Sequence, residues 1–227
     1  MAKTQFTVII TAGGIGKRMV SDLPKQFLKL NDKPILLHTI EKFYDFDPSI
    51  QLILTLPSDW KSFWNELLMK HECKISHLIV DGGKERYDSI KNALEFSEGE
   101  FIAVHDGVRP LVSNDTIKKC FDAVKQFGQV IPVIPLKESL RKINDELTQA
   151  VSRSEYVHVQ TPQCFLKESI TKAYSLPFHH NITDDASLIE EAGYSIHCVQ
   201  GNEENIKITT QMDLLFAEAL TKLKIQK

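Results

Sequence analysis

The 227-residue chain is 42% hydrophobic and sets 27 Lys and Arg against 30 Asp and Glu, a formal net charge of −3. That balance excludes a bulk binder of nucleic acid or of membrane surfaces, so any polyanion must meet a local basic site. No leader-like start and no apolar stretch of about 18 residues interrupts the pattern, and the expectation is a cytoplasmic globular protein forming one domain over 1–227.

FTVIIT (6–11) predicts the first buried strand, and TAGGIGKRM follows it. Gly13, Gly14 and Gly16 let backbone N–H groups approach a phosphate, and Lys17, Arg18 and then Lys25 in LPKQF add positive charge. The loop has neither the P-loop spacing with its Lys-Ser/Thr ending nor the second gap of G-x-G-x-x-G, which excludes an ordinary Rossmann dehydrogenase. PILLHTIEKF (34–43) reads as a helix, QLILTL (51–56) as a strand, and SDWKSFWNELLM (58–69) as a helix capped by Ser58 or Asp59. In that helix Trp60, Phe63, Trp64, Leu67 and Leu68 make one apolar face.

HLIV (77–80) is the next strand, and IVDGGKERYDS puts Gly82 and Gly83 at its end with Ser89 a helical turn later, a pattern suited to reading a base edge through backbone groups, although taken alone the stretch reads more readily as a plain turn. A helix over 85–96 leads to the strand FIAVHD (101–106), which ends in Asp106 with Arg109 just beyond. Asp106 is suited to a ribose hydroxyl or a metal-bound triphosphate and Arg109 to a phosphate, although the spacing equally allows an internal Asp–Arg pair. A helix over 113–127, capped by Ser113 or Asn114 and stopped by Gly128, precedes the strand QVIPVI (129–134). Apolar strands alternating with helices predict an α/β fold, a Rossmann-like mostly parallel sheet with helices on both faces.

The stretch 136–165 alternates around IND and reads as a polar β-hairpin, which must fold back or dock on another subunit because a lone hairpin is marginal in water. A helix near 166–174, a short helix in DDASLIEEAG, the strand YSIHCVQ and a helix near 210–223 complete the chain, with Thr183, Asp184 and Lys207 near element ends. The four cysteines Cys73, Cys120, Cys164 and Cys198 form no CxxC pair and read as small hydrophobes in or near the core. His179-His180 reads as a solvated loop pair rather than a metal site. Together the strand ends describe one crevice for a phosphorylated, nucleotide-like ligand.

In order, AGGIGKRM with LPKQF, DGGKERYDSI, HDGVRP, VSRSEYVHVQTPQCF, TDDAS and GNEENIKIT resemble the 2-C-methyl-D-erythritol 4-phosphate cytidylyltransferases of the non-mevalonate isoprenoid pathway, over essentially the whole chain. The resemblance implies transfer of a cytidylyl group from CTP to 2-C-methyl-D-erythritol 4-phosphate with release of pyrophosphate. It also implies Mg²⁺ or another divalent cation held mainly by triphosphate oxygens, with no protein metal ligands. A homodimer is implied, joined by a β-arm at about 136–156.

By the same resemblance, Arg18 and Lys25 stabilise the transition state. Ala12, Gly13, Gly14 and Gly16 cradle the nucleotide, while Gly83, Lys84 (through its backbone) and Ser89 read cytosine. Asp106 and Arg109 stand at the site shared by the two substrates. Arg153, from the partner's arm, and Lys207 position the substrate phosphate, with Ser139 and Thr161 as further contacts. Departures are mild: Gly107 and Val108 replace a commoner pair of alanines, Thr11 stands where a small apolar residue is usual, and Ser139 where threonine is common. Ribitol 5-phosphate cytidylyltransferases share several of these motifs, but the arginine in VSRSEY and the TDDAS segment favour the methylerythritol enzyme. A non-catalytic nucleotide sensor on the same fold predicts loss of the cations that are present here.

Overall fold

The computed structural model describes residues 4–14, 23–144 and 147–225. Gly16, Lys17 and Arg18 of the glycine loop lie outside the described residues.

In chain order the strands are β1 (Phe6–Thr11), β2 (Lys29–Leu30), β3 (Lys33–Pro34), β4 (Gln51–Leu56), β5 (Leu78–Asp81), β6 (Phe101–Asp106), β7 (Gln129–Pro135), β8 (Leu140–Asn144), β9 (Leu147–Val151), β10 (Val157–Val159), β11 (Gln163–Leu166) and β12 (His197–Gln200). The helices are α1 (Ile35–Phe46), α2 (Lys61–Lys70), α3 (Arg86–Leu94), α4 (Asn114–Phe127), α5 (Lys167–Ala173), α6 (Asp185–Glu191) and α7 (Gln211–Ile225). An eight-stranded sheet runs β10-β7-β11-β6-β1-β4-β5, and β12 joins it on β7. β5, β4, β1 and β6 are parallel, as expected of buried Val- and Ile-rich strands, and β12 is parallel to β7.

Successive residues of β1 point to opposite faces, so Val8 and Ile10 join one core cluster and Ile9 the other. On the first face α1, α2 and α4 pack through Leu37, Phe43, Trp64 and Phe121. On the second, α3, α5 and α6 pack through Ile90, Ile170 and Leu188. The Ser113 side chain accepts from the Thr116 N–H at 3.0 Å, and Gly128 closes α4 at φ 79°. α2 begins later than its sequence pattern suggests, because Ser58–Trp60 form a 3₁₀ turn and neither Ser58 nor Asp59 caps the helix with its side chain.

The segment 136–165 is not one hairpin. Only β8 and β9 pair as an arm, whereas β10 pairs with β7 and β11 inserts antiparallel between β6 and β7. Cys164 and Phe165 are fully buried there. Alternation alone could not separate the two cases, since an arm and an antiparallel sheet strand share the same period. The β2–β3 hairpin was also unread, although Asn31 and Asp32 at φ 49° and 66° are the residue types its turn favours.

Candidate active site

β1 is flanked by β4 on one side and β6 on the other, so the strand order reverses at β1 and a crevice opens at the carboxyl ends. A cleft of about 370 Å³ occupies that edge, walled by Ala12–Gly14, Lys25 with Gln26, Gly83–Arg86 with Ser89, and Asp106 with Lys207. The Gln26 Nε2 donates to the Ala12 carbonyl at 2.7 Å, which ties the 3₁₀ turn Lys25–Phe27 to the glycine loop. The Lys25 side chain passes beside Gly14: a Cβ there would lie 3.7 Å from Cε and 3.9 Å from Nζ.

The second wall is a fixed turn. Ser89 Oγ accepts from the Gly83 N–H at 3.0 Å and donates to the Glu85 carbonyl at 3.1 Å. The Glu85 N–H in turn donates to Asp88 Oδ2 at 3.0 Å, half of a reciprocal cap on α3. Only glycine fits at 83, where a Cβ would come within 2.1 Å of Asp88 Cβ.

The third wall is an ionic cluster. Asp106 Oδ2 meets Arg109 Nε at 3.0 Å and Lys207 Nζ at 3.1 Å. Burial pushes the Asp106 carboxyl up, but the charges of Lys207, Arg86 and Arg109 hold it well below the usual carboxylate range. Thr161 Oγ1 accepts from the Asp106 N–H at 3.1 Å and lies 3.0 Å from His105 Nδ1, while His105 Nε2 lies 3.1 Å from the Arg109 carbonyl. A neutral imidazole protonated on Nε2 satisfies every one of these contacts.

Burial lowers His105 from 6.5 to about 4, against its backbone hydrogen bond to Arg109, which raises it. The unfolded chain therefore binds a proton that the folded chain refuses. The stability this contributes is complete above pH 6.5 and is lost as the pH falls towards 4, about 3 kcal/mol as an upper bound. Denaturation of wild type and His105→Gln at pH 7 and pH 4.5 checks it. The variant is expected to show the shallower pH dependence. Burial also lowers His38 and His77, so some acid sensitivity remains in both proteins.

Comparison with known proteins fits this geometry. The family model described as IspD, 2-C-methyl-D-erythritol 4-phosphate cytidylyltransferase, matches residues 6–222. The chain belongs to the IspD family. A 2-C-methyl-D-erythritol 4-phosphate cytidylyltransferase of Bacteroides thetaiotaomicron is 46% identical over 215 residues, covering 94% of this chain and 98% of that protein. One from Bacillus cereus is 35% identical over 98% of this chain and 99% of its own length. The crystal structure of 4-diphosphocytidyl-2C-methyl-D-erythritol synthase from Anaerococcus prevotii superposes with a TM-score of 0.83 at 27% identity, covering 96% of each chain.

Within this IspD-family chain the candidate residues separate into three groups. Ala12, Gly13, Gly14, Lys25, Gly83, Lys84, Ser89, Asp106 and Lys207 line the cleft together. Arg109 and Thr161 stand behind Asp106: Arg109 makes the internal pair that its spacing allowed and donates through Nη1 to the Asn205 carbonyl at 2.6 Å. Arg153 and Ser139 are exposed at the base of the arm and do not line the cleft of their own chain, and Arg153 donates to the Lys137 carbonyl.

Thr183 and Asp184 line an adjoining hollow beyond Arg86. Arg86 and Asp185 were missed, because their pairing across 99 residues leaves no local signature. The Gly107 departure has a steric basis, since a Cβ would lie 3.0 Å from both Leu36 Cδ1 and the Thr11 carbonyl. Cys120 and Cys164 are buried as expected, but Cys198 is exposed on edge strand β12. His179 pairs with Glu191 at 2.8 Å, and no group of three metal-ligating side chains occurs among the described residues. No described helix is long and apolar enough to cross a membrane.

Proposed function

We infer that this chain transfers a cytidylyl group from CTP to 2-C-methyl-D-erythritol 4-phosphate, giving 4-diphosphocytidyl-2-C-methyl-D-erythritol and pyrophosphate for isoprenoid precursor biosynthesis. The observation that carries this reading is the match to the IspD family over residues 6–222, joined to a cation-lined cleft at the carboxyl edge of the sheet. A phosphate oxygen of the acceptor attacks the α-phosphorus of CTP, and the bond to the β-phosphate breaks as pyrophosphate leaves. The nucleophile is already anionic and needs no general base. The barrier lies in bringing two anions together, so positioning and preorganised cations carry the catalysis.

Backbone N–H groups of Gly13 and Gly14 hold the triphosphate beside Ala12, whose own N–H is spent on the Thr55 carbonyl at 3.0 Å, and Lys25 with Arg18 opposes the charge that builds on the leaving group. Gly83, Lys84 and Ser89 read the base. Lys207 faces the acceptor phosphate from the Asp106 side, and Thr161 keeps Asp106 in place through its N–H. The lining suits a divalent ion held mainly by triphosphate oxygens, because the Asp106 carboxylate at the cleft is already faced by Arg109 and Lys207 and no group of three metal-ligating side chains occurs among the described residues. Such an ion supplies charge neutralisation on the departing pyrophosphate.

The β8–β9 arm docks on a second copy and carries Arg153 and Ser139 to the partner's cleft. Ile143 and Leu147 at its tip, 73% and 76% exposed, support a partner surface. A cytoplasmic location, where both phosphorylated substrates are available, completes this reading. Incubation with CTP and either 2-C-methyl-D-erythritol 4-phosphate or ribitol 5-phosphate, with pyrophosphate as readout, tests the acceptor. Release is expected with the first, and release with ribitol 5-phosphate alone would reassign the acceptor.

A further inference from the structure

A two-point ionic contact at the cleft joins two residues that stand inside DGGKERYDSI and TDDAS without having been given a role there. Arg86, the first residue of α3, grips Asp185, the first residue of α6, through both oxygens: Nη1 to Oδ1 at 2.7 Å and Nη2 to Oδ2 at 2.6 Å. The Asp185 side chain is fully buried, whereas that of Arg86 is one-third exposed and lines the cleft. Tyr174 Oη donates to Asp185 Oδ1 at 2.5 Å, and its ring stacks on Tyr87 at 4.9 Å. Tyr87 Oη in turn lies 2.8 Å from the Tyr174 carbonyl and 2.6 Å from that of Leu176.

A cation in the first turn of a helix opposes the helix dipole, so Arg86 does not serve α3 itself. What it does is tie the start of α3 to a buried anchor in another element. α6 is itself fixed from the other side, because Gln163 Nε2 donates to Asp184 Oδ2 at 2.7 Å and Gln163 Oε1 accepts from the Ala186 N–H at 3.0 Å.

We propose that Arg86 and Asp185 form a positioning pair for nucleobase selection, holding the Gly83–Ser89 turn at a fixed distance from the glycine loop. This rests on the cleft being the CTP site. Cytosine presents an amino donor and a ring-nitrogen acceptor where uracil presents a carbonyl and an N–H. A backbone turn discriminates between them only while its own donors and acceptors cannot shift to suit either. The planar fork suits this task, since it constrains direction as well as distance. An ammonium could not replace it.

The test compares the full-length wild type with Asp185→Asn, Arg86→Lys and Tyr174→Phe, measuring kcat/KM with CTP and with UTP at one acceptor concentration, alongside equilibrium titrations of both nucleotides. Asp185→Asn and Arg86→Lys are expected to lower the preference for CTP over UTP at least about 10-fold, and Tyr174→Phe to lower it less. Equal losses with both nucleotides, the preference being kept, would reduce the fork to a structural tie and overturn the proposal. So would a preference lost in Arg86→Lys but kept in folded Asp185→Asn, since Arg86 would then act without its partner. If Asp185→Asn does not fold, the preferences of Arg86→Lys and Tyr174→Phe decide. Wild type that binds CTP selectively without turnover would remove the transferase reading while the titrations still decide this one. Wild type that binds CTP and UTP alike would overturn both.

Discussion

Lys25→Ala is expected to lower kcat at least about 100-fold while raising the KM for CTP far less. The ammonium stands at the mouth of the glycine loop on a turn that cannot drift, because the fully buried Gln26 amide ties that turn to the Ala12 carbonyl. On the proposed reading, the ground-state triphosphate charge would be shared with other donors and with the divalent ion assigned to it. In the transition state additional charge moves onto the departing pyrophosphate, and a fixed cation then contributes more than it does to binding. Steady-state kinetics on a variant with an unchanged melting temperature check this. Near-normal turnover would remove Lys25 from the catalytic machinery. Arg18 is expected to behave alike.

The second large effect is expected at Asp106. Asp106→Asn keeps the shape but removes the anion that faces two cations, one of them Arg109, whose side chain is only 12% exposed. Leaving that guanidinium partly buried without its charge partner should cost roughly 3 kcal/mol of stability at pH 7. Lys207, released from Oδ2, no longer has a fixed direction, and kcat/KM is expected to fall about 100-fold with most of the loss in KM for the acceptor.

The sign with pH follows from the depressed carboxyl. Its contribution is complete above its ordinary value of 3.8 and fades as the pH falls below it, so the stability gap between wild type and variant should begin to close only in that acid range. Urea denaturation of both proteins at pH 7 and pH 3 reads the difference. An unchanged melting profile at pH 7 would show that Arg109 and Lys207 do not depend on this anion.

What could be read from sequence was whatever is encoded locally. The apolar runs at 6–11, 51–56 and 101–106 coincide with β1, β4 and β6, because strands covered on both faces leave no polar alternation to confuse them. The glycines and charges at their ends could be assigned to one crevice by fold logic alone, and Gly13, Gly83, Ser89, Asp106 and Lys207 do meet in one cleft. Pairings between distant segments were not legible. Nothing near TPQCF says that β11 slots between β6 and β7, and nothing in KERYD or TDDAS says that Arg86 reaches Asp185. Arg109 and Thr161 illustrate a subtler limit: their residue types suit a ligand and a neighbour equally, and only packing shows that both hold Asp106.

The central claim is attack at the α-phosphorus of CTP by a phosphorylated polyol. Incubating the protein, Mg²⁺ and 2-C-methyl-D-erythritol 4-phosphate with CTP labelled at either the α- or the γ-phosphate tests it directly. The account predicts that α-label appears in a cytidine diphosphate-linked product and γ-label only in pyrophosphate. Transfer of γ-label to the polyol, or release of α-label as free CMP without a polyol adduct, would contradict it.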